Sequence, residues 1–370
     1  MKVLQILPEL NSGGVERGTL EVAEYLVKNG HEALVVSNGG RQVEALEKMG
    51  GRHIAMPVHR KSLSTLLQVK AFRLLLEKEK PDILHIRSRV PGWVAWLAWR
   101  KMNPATRPRL VSTVHGFYSV NFYSSIMTKG ERVIAVSESI RDYILKNYPK
   151  TAEDKITVIH RGVSSEDFPR GYQPDARWLN EWRNDLPQLV GKVVLLLSGR
   201  VTRWKGQVDF IRVVAALRQR GIDVHGLIVG ETHAKKREFE TELRKRAIEL
   251  KVEADISFLG HRKDIREVMA VSDIVYSLSL DPEAFGRVSL EAMSIGKPVI
   301  AYSHGGVEEQ LSAIFPAGLV AVGDVDSVVD QTLDILKNTA DLGSIKKFSL
   351  DRMLNSTVGI YHQILNSPRH

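Results

Sequence analysis

An α/β protein with two doubly wound parallel sheets is predicted by three observations on this 370-residue chain. Short strands that are apolar on both faces alternate with segments able to form helices, the pattern of a parallel sheet covered on each side. That rhythm lapses once, between His160 and Gly191, and then restarts. The length also exceeds one ordinary core and suits two domains of roughly 150 to 200 residues.

In the first half, "KVLQIL" reads as a buried strand. Glu16 to Asn29 follows as a helix with Leu20, Ala23, Leu26 and Val27 on one side, ended by Gly30. "ALVVS", "DILHI", "RLVSTVH", "RVIAVS" and "ITVIH" complete the first set of strands. The segment "RGVSSEDFPRGYQPDARWLNEWRNDLPQLVG" has three prolines and scattered acids, and reads as a connector with a short helix. The second set is "VVLLLSG", a helix from about Gly206, "VHGLIV", a charged helix from Lys235 to Leu250, "ISFLG", "DIVYSL" and "KPVIAY". Two domains are therefore expected, 1–170 and 171–351. Ligands of such sheets sit at the carboxyl ends of the strands, so a cleft between facing sheets is the expected site.

Composition narrows the function. Hydrophobic residues at 43% and charged residues at 26% describe a folded chain and exclude a disordered one. Cysteine is absent, which excludes a disulfide framework, a zinc-thiolate site and a cysteine nucleophile, and fits a reducing cytoplasm. "MKVLQILPELNSGG" lacks a signal-peptide core, and no run approaches the roughly 20 apolar residues of a membrane span. A soluble or peripheral protein is expected. Net charge is +9, unevenly spread: residues 1–165 hold 25 Lys and Arg against 15 Asp and Glu, leaving 27 against 28 for the remainder. A basic first half suits an acidic partner such as anionic lipid, acidic glycan or nucleic acid, beside the plainer reading of solubility.

Three stretches carry chemistry. "LNSGGVERG" opens a helix after the first strand; it is not the dinucleotide fingerprint, but Gly13 and Gly14 let a phosphate or sugar approach free N–H groups. Its alternative is a tight turn. In "LLLSGRVTRWKGQVDF", Arg200 and Lys205 flank a strand end and suit a diphosphate, Arg200 by a two-pronged grip and Lys205 as a point charge. The phosphate loop of NTPases is missing, and the alternative is two solvated cations. In "DPEAFGRVSLEAM", a helix from about Gly286 to Ile295, capped by Gly296, would present backbone N–H groups of Phe285, Gly286 and Arg287 to an anion. Glu283 lies outside that helix and Glu291 inside it. A glycosidase pair needs its carboxyls roughly 5 to 10 Å apart across one bond, so two separate hydroxyl-binding roles are the expectation, against the bland reading of surface acids. His115 in "TVHGFY" reads on its own residues as a core histidine. Trp93, Trp96 and Trp99 form one flank of a helix, suited to a membrane interface or, as favoured here, to packing on a sheet. Histidines are scattered without metal-ligand spacing, and no required metal is expected.

"EAFGRVSLEAM" followed by "GKPVIAYSHGGVEE" resembles the signature of retaining glycosyltransferases of family 4, which have the GT-B fold. Gly13-Gly14, "VHG" at His115, "AVSESI" at Ser137, Arg200 with Lys205-Gly206, and "FLGHRKDI" extend the resemblance over nearly the whole chain. It implies a C-terminal domain that binds a nucleotide sugar, an N-terminal domain that binds the acceptor, and a last helix, about 352–370, that crosses back to the first domain. Carried over position by position, Arg200 and Lys205 hold the diphosphate, helped by backbone groups from Phe285 through Gly286 and Arg287 to Val288. Glu291 holds the ribose, Glu283 the sugar hydroxyls, His115 lies near the reacting carbon, and the backbone from His261 to Asp264 meets the base. Glu16, Arg17 and Arg161 fall on the acceptor side. Where many members read Asn-Gly-Val-Asp, this chain has "RGVS", so Arg161 brings a positive charge that suits a charged acceptor. The implied partners are a nucleotide-sugar donor and a glycan or lipid-linked acceptor, with peripheral contact to the anionic inner face of the cytoplasmic membrane and no nucleic acid. The implied pathway is bacterial envelope glycan synthesis. A sugar-nucleotide epimerase or hydrolase, and a binding protein that has lost transfer, are the rival readings.

Overall fold

The computed structural model describes residues 1–11, 13–232 and 237–369, with the backbone alone at 63 and 237. The expected start of the charged helix at Lys235 lies outside the described residues; the helix is seen from Arg237 to Glu249.

The chain divides into two units, one of Met1–Arg161 with Asp351–His370, the other of Gly162–Leu350. The first holds β1 (Lys2–Ile6), β2 (Glu32–Ser37), β3 (Arg52–Ala55), β4 (Ile83–Ile86), β5 (Arg109–Val114), β6 (Arg132–Ala135) and β7 (Ile156–Val158), in the spatial order β3-β2-β1-β4-β5-β6-β7. The second holds β8 (Val193–Ser198), β9 (Val224–Val229), β10 (Ile256–Gly260), β11 (Ile274–Ser277), β12 (Val299–Tyr302) and β13 (Leu319–Val320), in the order β10-β9-β8-β11-β12-β13. The strand pairs are parallel. β4, β5, β9 and β12 are buried along their whole length, because helices cover both faces and each apolar side chain finds a neighbour. Strand order reverses beside β1 in one sheet and beside β8 in the other. Chain connections leave these points in opposite directions and open a crevice at the carboxyl ends.

The second unit begins at Gly162, ahead of the 170/171 boundary expected from sequence. The intervening residues are tied to the second unit: Val163 bridges Ser349 and Phe168 lies in its core. The connector carries a helix, Ala176–Asp185, whose N-cap Asp175 accepts from the Trp178 N–H at 2.8 Å. Strands β3 and β13 were not expected. At the other end of the chain, the helix Leu350–Asn366 brings Tyr361 into the core of the first unit.

Candidate functional site

The crevice of the second sheet is built by two loops. One follows β8 and leads through Lys205 and Gly206 into the helix Gln207–Gln219; the other follows β11 and leads through Glu283 and Gly286 into the helix Arg287–Ser294. Gly206 is where they touch. Its φ is +76°, and a Cβ there would stand 1.9 Å from the Leu278 carbonyl oxygen, so only glycine lets the chain turn this close. Gly286, at φ +85°, is the N-cap of the second helix.

Lys205, Ser279, Glu283, Gly286, Val288 and Ser289 line one pocket. Lys205 Nζ lies 2.7 Å from Glu283 Oε1, with the two side chains only 15% and 17% exposed, so this is not a surface ion pair of negligible worth. The Ser279 hydroxyl donates to the same carboxylate oxygen at 2.6 Å, and His304 Nε2 donates to the Ser279 carbonyl at 2.7 Å. Behind them Gln310 donates to the carbonyls of Phe285 and Gly286, fixing the turn. The first-turn N–H groups of the helix Arg287–Ser294 have no acceptor within the helix and carry its positive dipole end. Within that turn the Ser289 hydroxyl is shut off from solvent and has no partner among the described residues. A cation, free helix N–H groups and an unsatisfied hydroxyl beside a carboxylate can receive a charged oxygen group and, next to it, hydroxyls.

The other sequence-derived positions are placed differently. Arg200 is exposed and lies outside the residues lining this pocket. Glu291 is buried and pairs with Arg287 at 3.4 Å, one helical turn away. Phe285 is a core residue, so only its backbone is available to a ligand. His261 is exposed. The Asp264 carboxylate accepts from Arg262 Nε at 2.9 Å and Trp178 Nε1 at 2.8 Å, which leaves that segment's backbone for any ligand contact.

The first unit has its own crevice, beside β1 and β4. Gly13 and Gly14 are exposed at the start of the helix Gly14–Lys28. The Glu16 carboxylate folds toward Gly13, and Arg17 pairs with Glu21 at 3.1 Å. Arg161 does not project as a surface charge: its guanidinium is buried over Gly18, where the missing side chain leaves room, and donates to the Gly14 carbonyl. His115, just after β5, has its Nε2 shut off from solvent with no partner among the described residues. Burial first, then Arg87, Arg161 and His85, hold its pKa well below the ordinary histidine value, so the ring is neutral. His85 lies within hydrogen-bond distance of Tyr361 (2.6 Å) and Thr113 (2.7 Å) and is neutral for the same leading reason.

Sequence reasoning missed Ser279, Ser289 and Arg87. The last had a signal: it is the first residue after β4, the strand beside β1 where the order reverses. The tryptophan stripe was read as core, which holds for Trp99 alone, buried with Nε1 donating to the Pro108 carbonyl at 2.7 Å. Trp93 and Trp96 are half-buried because they sit on the outer flank of their helix; Trp93 lies against Phe122, 77% exposed, beside Arg60 and Lys61. Among the described residues no helix is long and apolar enough to cross a membrane, and no group of three or more His, Cys, Asp or Glu is placed to hold a metal ion.

Two doubly wound parallel sheets, one with a cation, a helix start and a carboxylate converging at its reversal point, define an α/β protein of the Rossmann-like kind. Glycosyltransferase Family 4 matches residues 12–167 and Glycosyl transferases group 1 matches residues 180–349. A glycosyltransferase structure from Rickettsia africae ESF-5 is 32% identical, with a TM-score of 0.85 and 99% of each chain covered. The structure of Anabaena HepE in complex with UDP and glucose is 22% identical, with a TM-score of 0.82, covering 98% of this chain and 99% of that one; it shows the shared fold. The capsular polysaccharide biosynthesis glycosyltransferase CapM of Staphylococcus aureus is 25% identical over 97% of this chain and 90% of its own length. The chain belongs to the family 4, group 1 glycosyltransferases, with the GT-B fold.

Proposed function

We infer that this glycosyltransferase moves a sugar from a nucleotide-diphosphate sugar to an acceptor hydroxyl with retention of anomeric configuration. The observation that carries the reading is the Lys205–Glu283 pair against the start of the helix Arg287–Ser294. The lysine and the carboxylate satisfy each other in the structure. A bound donor offers each a better partner, phosphate oxygens for Lys205 and sugar hydroxyls for Glu283. As the bond from the anomeric carbon to the phosphate oxygen breaks, negative charge grows on the diphosphate. Lys205, the first-turn N–H groups and Ser289 stabilise that charge, with Arg200 reaching in from the exposed end of its loop. Glu291 receives the ribose and the backbone of His261 to Asp264 the base. The acceptor oxygen attacks the face the phosphate leaves, and its proton passes to the departing phosphate, so no separate protein base is required. The charge needed on the leaving group is then supplied by the protein, and the reaction runs without a metal.

The first unit binds the acceptor. Similarity to a capsular polysaccharide enzyme supports a bacterial envelope glycan as its class. Exposed Phe122 and Leu67, with Trp93, Arg60 and Lys61, suit peripheral contact with an anionic membrane surface. The test is donor turnover: purified protein and a panel of nucleotide sugars with envelope-glycan acceptors should release nucleoside diphosphate only when acceptor is present, and the product's anomeric NMR coupling should match the donor's. Donor consumption without acceptor would favour a hydrolase or epimerase, and an inverted product would refute retention.

A further inference from the structure

Among the described residues Arg87 is the most deeply buried arginine, and most of its guanidinium lacks a hydrogen-bond acceptor. It is 2% exposed, and neither its Nε nor its Nη2 finds an acceptor among the described residues. Its backbone N–H completes the sheet by bonding the Ile6 carbonyl at 3.0 Å, which fixes it at the carboxyl end of β4 beside β1. The charged or polar groups that face it are largely committed elsewhere. Tyr361 is bound to His85, and His85 and His115 are neutral; the Glu21 carboxylate pairs with Arg17 through Oε1 and acts on Arg87 at a distance, without a hydrogen bond to its Nε or Nη2. Arg161 adds a second buried guanidinium on the neighbouring helix start.

Burying a charged group without hydrogen-bond partners opposes folding, so folding alone gives no reason for Arg87. A ligand that supplies two oxygens of one planar or tetrahedral anion does, since that matches the guanidinium fork. We propose that Arg87 is the centre of an anion subsite at the carboxyl ends of β1, β4 and β5, which receives a phosphate or carboxylate of the acceptor. Arg161 contributes field from the side, and the unpartnered His115 Nε2 receives a hydroxyl next to the anion. The acceptor is then an anionic sugar, sugar phosphate or hydroxy acid whose reacting hydroxyl lies close to its charge. This rests on the first unit being the acceptor domain, as proposed above.

The test compares wild type with Arg87→Met, Arg87→Lys and Lys205→Ala by thermal unfolding, in phosphate or malonate against chloride of equal ionic strength. Wild type and Lys205→Ala should both gain, by about 3–5 °C at an anion concentration tenfold above Kd. Arg87→Met should lose most of the gain, keeping only what anion binding at the Lys205 pocket contributes, and its midpoint in chloride should equal or exceed that of wild type because a buried, poorly satisfied charge has gone. Arg87→Lys, which keeps the charge without the fork, should respond more weakly than wild type. If wild type gains nothing over chloride, or Arg87→Met gains as much as wild type, the subsite does not exist. If only Lys205→Ala loses the gain, the anion binds at the donor phosphates and this inference falls while the donor reading stands. A donor with a charged sugar is the other source of such an anion. If Arg87→Met weakens UDP-glucuronate more than tenfold relative to UDP-glucose, the assignment to the acceptor is overturned; equal binding of the two supports it.

Discussion

Replacing Lys205 by alanine separates a catalytic effect from a structural one. The ammonium lies 2.7 Å from Glu283 in a pair about one-sixth exposed. A charge-assisted hydrogen bond is worth roughly 1.5–3 kcal/mol, so loss of Lys205 from the transition state should lower kcat/KM by about one to two orders of magnitude. The same change leaves Glu283 with Ser279 as its hydrogen-bond donor, which should destabilise the second unit by about 1–2 kcal/mol after allowance for its partial exposure. For a unit of this size that is a fall of about 3–6 °C in Tm. Adding Glu283→Gln removes the stranded charge. The double variant should therefore recover most of the lost Tm and none of the lost rate. The assay is nucleoside diphosphate release at saturating acceptor, paired with calorimetric unfolding of each variant. A Lys205→Ala enzyme within threefold of wild type would refute the site, and a double variant that regains rate would show that the first loss was merely structural.

Gly206→Ala should lower Tm by more than 5 °C and abolish donor binding, because a Cβ would meet the Leu278 carbonyl oxygen at 1.9 Å and the backbone is left-handed there; donor titration of the folded fraction checks this. His85, His115 and His225 have pKa values depressed chiefly by burial, His225 to about 4. Their stabilising effect is complete above about pH 6.5 and is lost as pH falls through the folded values, so Tm should drop steeply between pH 6.5 and 4, and less steeply in His225→Gln. If protein groups neutralise the leaving phosphate as proposed, chelation by EDTA should leave turnover within twofold of the untreated enzyme; loss of activity restored by magnesium would overturn that assignment. Phe122→Asp with Leu67→Asp should cut sedimentation with anionic vesicles at least tenfold and leave neutral-vesicle binding unchanged, and equal sedimentation of both proteins would remove the membrane contact.

Much of the architecture could be read from the chain because doubly covered strands must be apolar on both faces. "DILHI" and "VVLLLSG" announce themselves in that way. β3, with Arg52 and His53 in a four-residue edge strand, does not, and neither does two-residue β13. The domain boundary was placed late because the prolines after Phe168 look like a linker, whereas Phe168 itself is buried in the second core. The loops that line the candidate site were legible, since a strand end followed by a cation and a glycine is a local pattern. The contact between Lys205 and Glu283 was not, because it joins loops after two different strands and no periodicity connects them. The burial of Arg161 was not legible for a related reason: whether a cation faces outward depends on what lies opposite, and here that is Gly18. Arg87 looked like any single arginine until the strand order placed it beside the reversal point.

The central claim is that the crevice after β8 and β11 binds a nucleotide-diphosphate sugar through its phosphates. Calorimetric titration of UDP, GDP and ADP, each with the matching nucleoside, tests it directly in wild type and Lys205→Ala. The expected result is saturable binding of one diphosphate by wild type, at least tenfold weaker binding by the variant, and none of the nucleoside alone. Failure of all three diphosphates to bind, or equal affinity in wild type and variant, would contradict it.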